Sequence, residues 1–304
     1  MSQDDEATRI AALTRHLAAG EGVVLGPGDD AAVLRPSERH DLVVTTDAFV
    51  EGQHFRREQL SLEAIGRRLA AANLSDLAAM GALPRWVVFS LMVPDSWSEP
   101  DVRGVQHAAA VAFEGEAVSV VGGNLARTDG PLVLSVTLLG EVERGRQWMR
   151  SGARVGDVLA VTGTPGLAGL ALAAAARGAA WPSAYLSPPS RVRVARALAA
   201  AGGVKAAIDL SDGLPGDLAQ LLRASGIGAE LEAASLPPGA LEPSDDYELL
   251  LAIDPARIAA LEVVARTAGA PLSVIGRCVA DGLVVRGADG AFHALPPRGY
   301  DHFA

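Results

Sequence analysis

Ala206-Ala207-Ile208-Asp209-Leu210-Ser211-Asp212-Gly213-Leu214 is the stretch on which the fold reading turns. An apolar β run near 206 to 209 ends on two carboxylates and a glycine, and a helical pattern follows from 214 to 224. Strand, acidic turn and helix in that order mark the strand end of an α/β unit, where ligands usually bind. Outward from it the same alternation continues. Downstream, β runs are expected near 228 to 233, 246 to 253, 272 to 279 and 282 to 286, with a helix over 255 to 268. Upstream lie a β run near 156 to 162 and helices near 166 to 178 and 190 to 201, with the Pro/Ser-rich tract WPSAYLSPPS (181 to 190) read as a loop.

The first half repeats the theme. Ile10, Leu13 and Leu17 share one face of an opening helix over 7 to 19. β runs near 41 to 50, 85 to 93 and 131 to 142 then alternate with Ala-rich helices over 61 to 80 and 97 to 114. The chain has 304 residues, roughly twice a domain of ~100 to 150. Two α/β domains are therefore expected, 1–145 and 146–304, with the boundary near Glu143 to Gly156.

Composition narrows the function. Hydrophobic residues make up 49% and charged residues 20%, enough apolar material for real cores. The net charge of −10 repels nucleic acid and anionic membranes, so neither is an expected partner. Lys205, in GGVKAAID, is the sole lysine and lacks the Gly-Lys-Ser/Thr order of a phosphate loop. A single cysteine, Cys278, can form neither an internal disulfide nor a cysteine-based metal site, and the acidic start MSQDDEATRI is unlike a secretion signal. A cytoplasmic location is the expectation. Val158 to Ala176 runs uncharged, but Gly163-Thr164-Pro165-Gly166 breaks it into strand, turn and helix rather than a membrane span.

Carboxylates gather at strand ends and beside glycines: GPGDDAAVL (Asp29, Asp30), VVTTDAF (Asp47), NLSDLAAMG (Asp76) and AIDLSDG (Asp209, Asp212). With the hydroxyls of Thr45, Thr46 and Ser211 they form an all-oxygen donor set of the kind a hard cation such as Mg²⁺ prefers. Turn chemistry and helix capping account for any one such motif taken alone. Gly122-Gly123 follows the strand-like AVSVV and precedes Asn124 and Arg127. Glycines admit close backbone approach to a phosphate and an arginine can grip one, although an ordinary tight turn explains the pair as well. Arg150, in the stretch Met149 to Gly152 between the halves, is either a ligand for an anion or a solvated linker charge. Aspartates and phosphates repel at short range, so an acid-rich site accepts polyphosphate only with divalent metal bridging the two. No Gly-x-Ser-x-Gly elbow occurs, and His54 has no adjacent nucleophile pattern, which leaves acyl transfer unsupported.

GPGDDAA, TTDAFVEGQHF, NLSDLAAMGA, GGN, MRSGARVGD, IDLSDGL, DDYELL and GYDHF, in this order over nearly the whole chain, resemble the thiamine-monophosphate kinase family. Its wider group includes aminoimidazole-ribonucleotide synthetase, selenophosphate synthetase and a hydrogenase maturation protein. TTDAFVEGQHF and GYDHF favour the kinase. The resemblance implies a two-domain α/β (α+β) aminoimidazole-ribonucleotide synthetase-like fold, with an N-terminal domain pairing in a homodimer and a C-terminal domain covering the nucleotide. It implies direct in-line transfer of the ATP γ-phosphate to thiamine monophosphate, giving thiamine diphosphate without a phosphoenzyme. Asp30, Thr45, Thr46, Asp47, Asp76, Asn124, Asp209 and Asp212 would then meet several Mg²⁺ ions, with Asp47 and Asp212 central to catalysis. Gly123, Asn124, Arg150 and Ser211 would meet ATP, and His54, Asp245 and Tyr300 the thiamine phosphate. Tyr300 also suits a cationic heteroaromatic ring on its own chemistry, by stacking and by cation–π attraction of ~0.5 to 2 kcal/mol; a tail packed on the body is the other reading. Two departures stand out. Asn124 replaces the usual Asp of Gly-Gly-Asp, and a short segment, LPPGALEPSDDYELL, puts Asp245 where a Glu is usual. A related ATP-using synthetase and a non-catalytic metal and nucleotide sensor are the alternative readings.

Overall fold

The computed structural model describes residues 20–25 and 33–300. The helix expected over 7–19, the aspartates at 29 and 30, and the last residues of GYDHF lie outside them. The chain divides into two compact units, one of residues 1–74 and 83–144 and the other of residues 75–82 and 145–304.

In the first unit, β1 (Val23–Leu25) and β2 (Val33–Leu34) pair antiparallel. A four-stranded sheet follows in the order β3, β6, β4, β5, built from β3 (His40–Val50), β4 (Leu83–Val93), β5 (Ser119–Arg127) and β6 (Val133–Glu143). β4 and β5 run parallel and the other pairings are antiparallel. Alternation along the strands buries Phe49, Phe89, Leu91, Leu134, Val136 and Leu138. Helix α1 (Leu62–Ala79) begins in this unit, and α2 (Glu99–Gly115) crosses it closely. A Cβ on Gly66 would stand 2.3 Å from the Val105 carbonyl, so only glycine permits the crossing. Ser98 caps α2 by accepting from the Asp101 amide at 3.3 Å, and Phe113 on its inner face meets Phe89 edge-on at 6.0 Å.

The second unit holds a seven-stranded sheet. Its strands are β7 (Val158–Thr162), β8 (Val204–Leu210), β9 (Gly228–Glu232), β10 (Glu248–Ile253), β11 (Leu272–Val279), β12 (Leu283–Arg286) and β13 (Phe292–Ala294). They are ordered β13, β12, β9, β11, β7, β10, β8, and only β12 with β9 is parallel. β10 is buried along its whole length between β7 and β8, which explains its unbroken apolar run Leu249 to Ile253. Leu250 and Ala252 join a core with Leu159, Ile208, Leu214, Leu218, Leu221 and Ile275. That core takes the apolar face of α6 (Leu214–Ser225). Two further helices, α5 (Val192–Ala201) and α7 (Ile258–Ala268), pack on each other.

Some boundaries differ from the sequence reading. α3 (Leu167–Ala175) ends before the expected 178 because the chain turns back through Gly178 at φ +87°. The 181–190 tract contains one helical turn, α4 (Ser183–Leu186), with Trp181 stacked on Tyr185 at 4.5 Å. Gly122-Gly123 is no turn at all: it lies inside β5, and the register slips by one at Val121, between the pairs Val87 with Val120 and Val88 with Gly122.

Cys278 is 1% exposed in the second core, and burial pushes its thiol up to about 12. A thiolate reagent should therefore find no reactive cysteine in the native chain and one per chain after unfolding in guanidinium, read by absorbance.

Candidate functional site

In the first unit, strand alternation separates the TTD motif. Thr45 and Asp47 share the face that buries Phe49, and Thr46 points the other way. The Thr46 hydroxyl is taken up by the sheet, donating to the Val136 carbonyl at 3.0 Å beside the Thr137 hydroxyl at 3.2 Å. The structure thus brings Thr45 and Asp47 together and leaves the Thr46 side chain out. Gly123 and Asn124 likewise take opposite faces of β5. A Cβ on Gly123 would lie 2.6 Å from the Phe89 carbonyl, so this glycine is required by sheet packing, and Asn124 is exposed. Arg127 pairs with Asp95 on the surface, which gives the guanidinium a partner other than a phosphate.

His54 sits on a tight turn after β3, where Gly52 adopts φ +88°. Its ring stacks on Phe49 at 5.3 Å, and Nδ1 accepts the Val50 amide at 3.1 Å. A ring nitrogen that accepts cannot carry the proton, so the neutral imidazole holds it on Nε2 and presents a donor there.

The second unit gathers more. Ser75 of α1 donates its hydroxyl to Asp209 Oδ2 at 2.9 Å, with both side chains buried, and this places Asp76, next along α1, near the end of β8. After β8 the chain turns through Ser211, Asp212 and Gly213, the last at φ +113°. Asp217, 1% exposed, accepts the Asp212 and Gly213 amides at 3.1 Å each and so shapes the turn. Burial first, and the charge of Asp212 second, push the Asp217 carboxyl up to about 7. The Tyr300 amide donates to the Asp212 carbonyl at 3.1 Å, while the Tyr300 side chain is 49% exposed. The segment before it packs closely too, since a Cβ on Gly216 would be 2.9 Å from Gly299 Cα. Packed tail and exposed ring are therefore both present.

Arg150 opens a short 3₁₀ turn (Arg150–Gly152) and its Nη1 donates to Gln220 Oε1 of α6 at 2.9 Å. The carbonyl of Arg150 accepts from Ser225 at 2.7 Å. Instead of hanging on a linker, this arginine is held against α6 within the second unit. Asp245 is partly exposed between Ser244 and Asp246, whose side chains are both engaged with α3.

Among the described residues, no three His, Cys, Asp or Glu side chains close into a ready-made metal cage. The donors present are carboxylates and hydroxyls, which fit Mg²⁺, an ion that retains water and takes phosphate oxygens in place of a full protein cage. Ser75 and Asp217 escaped the sequence reading. Asp217 had a signal, an acid in the first turn of a helix whose cap is glycine; Ser75 had only its place beside Asp76.

Two family models match the chain: the N-terminal domain of AIR synthase related proteins over residues 28–142, and their C-terminal domain over residues 154–287. A thiamine-monophosphate kinase of Rhodopirellula baltica is 34% identical, the match covering 92% of each chain. The crystal structure of a thiamine-monophosphate kinase from Stenotrophomonas maltophilia superposes with a TM-score of 0.80 at 34% identity, covering 96% of this chain and 98% of that one. AaThiL complexed with AMPPCP and TMP gives a TM-score of 0.75 at 28% identity, covering 90% and 91%.

Proposed function

The chain belongs to the thiamine-monophosphate kinase family, and from that premise we propose that it phosphorylates thiamine monophosphate with ATP to give thiamine diphosphate and ADP. The observation that carries the reading is the hydrogen bond from the Tyr300 amide to the Asp212 carbonyl. It sets an exposed aromatic ring beside a turn of oxygen donors, pairing a surface for a cationic heterocycle with one for phosphate and metal.

A phosphate oxygen of the acceptor attacks the γ-phosphorus, and the bond from that phosphorus to the ADP oxygen breaks. A phosphomonoester near pH 7 is already largely a dianion, so the nucleophile needs no general base. This agrees with a site rich in carboxylates. His54, donating from Nε2, is assigned to the acceptor phosphate, with Tyr300 and Asp245 on the heterocycle side. Arg150, Ser211, Gly123 and Asn124 are assigned to ATP. Thr45, Asp47, Asp76, Asp209 and Asp212, with Asp30 outside the described residues, are assigned to Mg²⁺; Thr46 joins only through its main chain. Bound Mg²⁺ supplies the positive charge that lets carboxylates and phosphates share one site and offsets charge building on the transferred group. Ser75 and Asp217 hold Asp209 and the Asp212 turn in place.

We extend the reading to a homodimer through the outer face of β3, where Leu42 and Val44 are 47% and 56% exposed and Thr46 and Ala48 lie in line with them. A cytoplasmic setting goes with it. Among the described residues no helix is long and apolar enough to cross a membrane.

The test is a chromatographic assay with ATP, Mg²⁺ and either thiamine monophosphate or thiamine. Thiamine diphosphate and ADP should form in equal amounts from the monophosphate alone, and EDTA should abolish both. ATP binding with no product would favour the sensor, to which the neutral Asn124 points.

A further inference from the structure

Helix α3, LAGLALAAA, carries no charge and no capping side chain of its own; its N-cap is Gly166 at φ +90°. A helix start leaves backbone amides without partners. Here a distant segment supplies them. Asp246 accepts the Gly166 amide at 2.5 Å through Oδ2 and the Ala168 amide at 2.8 Å through Oδ1, and the Ser244 hydroxyl accepts the Gly169 amide at 2.8 Å. The fit is close, since a Cβ on Gly169 would stand 2.6 Å from the Pro243 carbonyl. On the far side, Tyr247 adopts φ +55°, a left-handed conformation that non-glycine residues rarely take, and its amide donates to the Leu210 carbonyl at 2.9 Å. Glu248 then enters β10 locked to Arg191.

Residue 245 is thus clamped from both ends. Ser244 and Asp246 are committed to α3, and Asp245, to which the acceptor role is assigned, stands between them. Burial pushes the Asp246 carboxyl above the usual range while the two amides pull it back, as expected for a cap inside the fold rather than a surface charge.

We propose that Asp246 is a positioning residue, which by capping α3 fixes the direction of Asp245 toward the phosphorylated acceptor. This rests on the acceptor role assigned to Asp245 above. The fixed backbone matters more here than in relatives with glutamate, because the shorter aspartate has less reach with which to make up an error in placement.

The experiment compares wild type with D246A, D246N and S244A by steady-state kinetics and by amide hydrogen exchange over residues 166–169. D246A should raise KM for thiamine monophosphate about tenfold or more, leave kcat and KM for ATP within about twofold, and speed exchange at Gly166 and Ala168. D246N, which keeps one acceptor oxygen, should fall between D246A and wild type, and S244A should expose Gly169 with a smaller rise in KM. Loss of folded protein alone would lower kcat and leave KM unmoved. An unchanged KM for thiamine monophosphate in a variant whose α3 amides have lost protection would overturn the proposal, as would unaltered protection in D246A. Should D246A fail to fold, the same two criteria apply to D246N. A wild-type chain that does not turn over thiamine monophosphate overturns the acceptor reading and the proposal with it; an active wild type with KM unmoved in the variants overturns the proposal alone.

Discussion

Asp47→Ala and Asp212→Ala should each yield a folded chain whose turnover of thiamine monophosphate is lower by about 10²- to 10³-fold or more, the usual cost of removing one preorganised electrostatic contact to a transition state. The fold should survive for reasons specific to each position. Asp47 is a partly exposed residue on an edge strand, and its ladder bonds to β6 are main chain. Two of the bonds that shape the Asp212 turn run through its backbone, the amide to Asp217 and the carbonyl from Tyr300, and alanine retains both. Removing the Asp212 charge also relieves the repulsion that helps hold the Asp217 carboxyl near 7. Melting curves should therefore stay close to wild type while turnover collapses. Excess Mg²⁺ should recover part of the activity, since each variant lacks a donor rather than a shape. A loss of less than tenfold in either variant would remove that residue from the catalytic set.

How far the sequence carries one toward this site depends on the kind of contact. Strands and helices with a strong period were legible: β3, β4, β6 and α6 lie within a few residues of where alternation or helical spacing puts them. Pairing was not. β10 lies between β7 and β8, strands far from it in sequence, and nothing in the run Leu249 to Ile253 names its neighbours beyond stating that both faces are buried. Gly122-Gly123 misleads for a related reason. Glycine is read as a turn signal from local conformational freedom, but Gly123 is there because the Phe89 carbonyl leaves no room for a side chain, a fact of the neighbouring strand.

The site residues divide in the same way. Period-two geometry alone separates Thr46 from Thr45 and Asp47, so that split was available in advance to anyone who placed β3 correctly. The Ser75 to Asp209 bond and the cap from Asp246 to α3 join residues more than seventy positions apart and leave no local pattern. Motifs read along the chain find groups that touch a ligand; residues that hold those groups still become visible only after folding.

The largest stability effect should come from breaking the Arg191 to Glu248 pair. Its side chains are 9% and 7% exposed, the guanidinium meets both carboxylate oxygens through Nε and Nη2, and the Thr162 hydroxyl donates to Oε2 at 2.6 Å. A Cβ on Gly163 would collide with the carboxylate at 1.8 Å, so the site is packed around the pair. Arg191→Met or Glu248→Leu leaves one buried charge without its partner, which costs about 3 to 5 kcal/mol. At roughly 2 to 4 °C per kcal/mol for a unit of this size, the melting temperature should drop by about 6 to 20 °C. The double replacement should lose less than either single change, because it strands no charge, only the Thr162 hydroxyl, which still accepts the Leu249 amide at 2.8 Å. That ordering separates the pair from the Asp246 cap: the cap is expected to move KM for the acceptor at nearly constant melting temperature, and the pair to do the reverse. If both single variants melt within 2 °C of wild type, water reaches the pair, and β10 owes its placement to its buried apolar run Leu249 to Ile253.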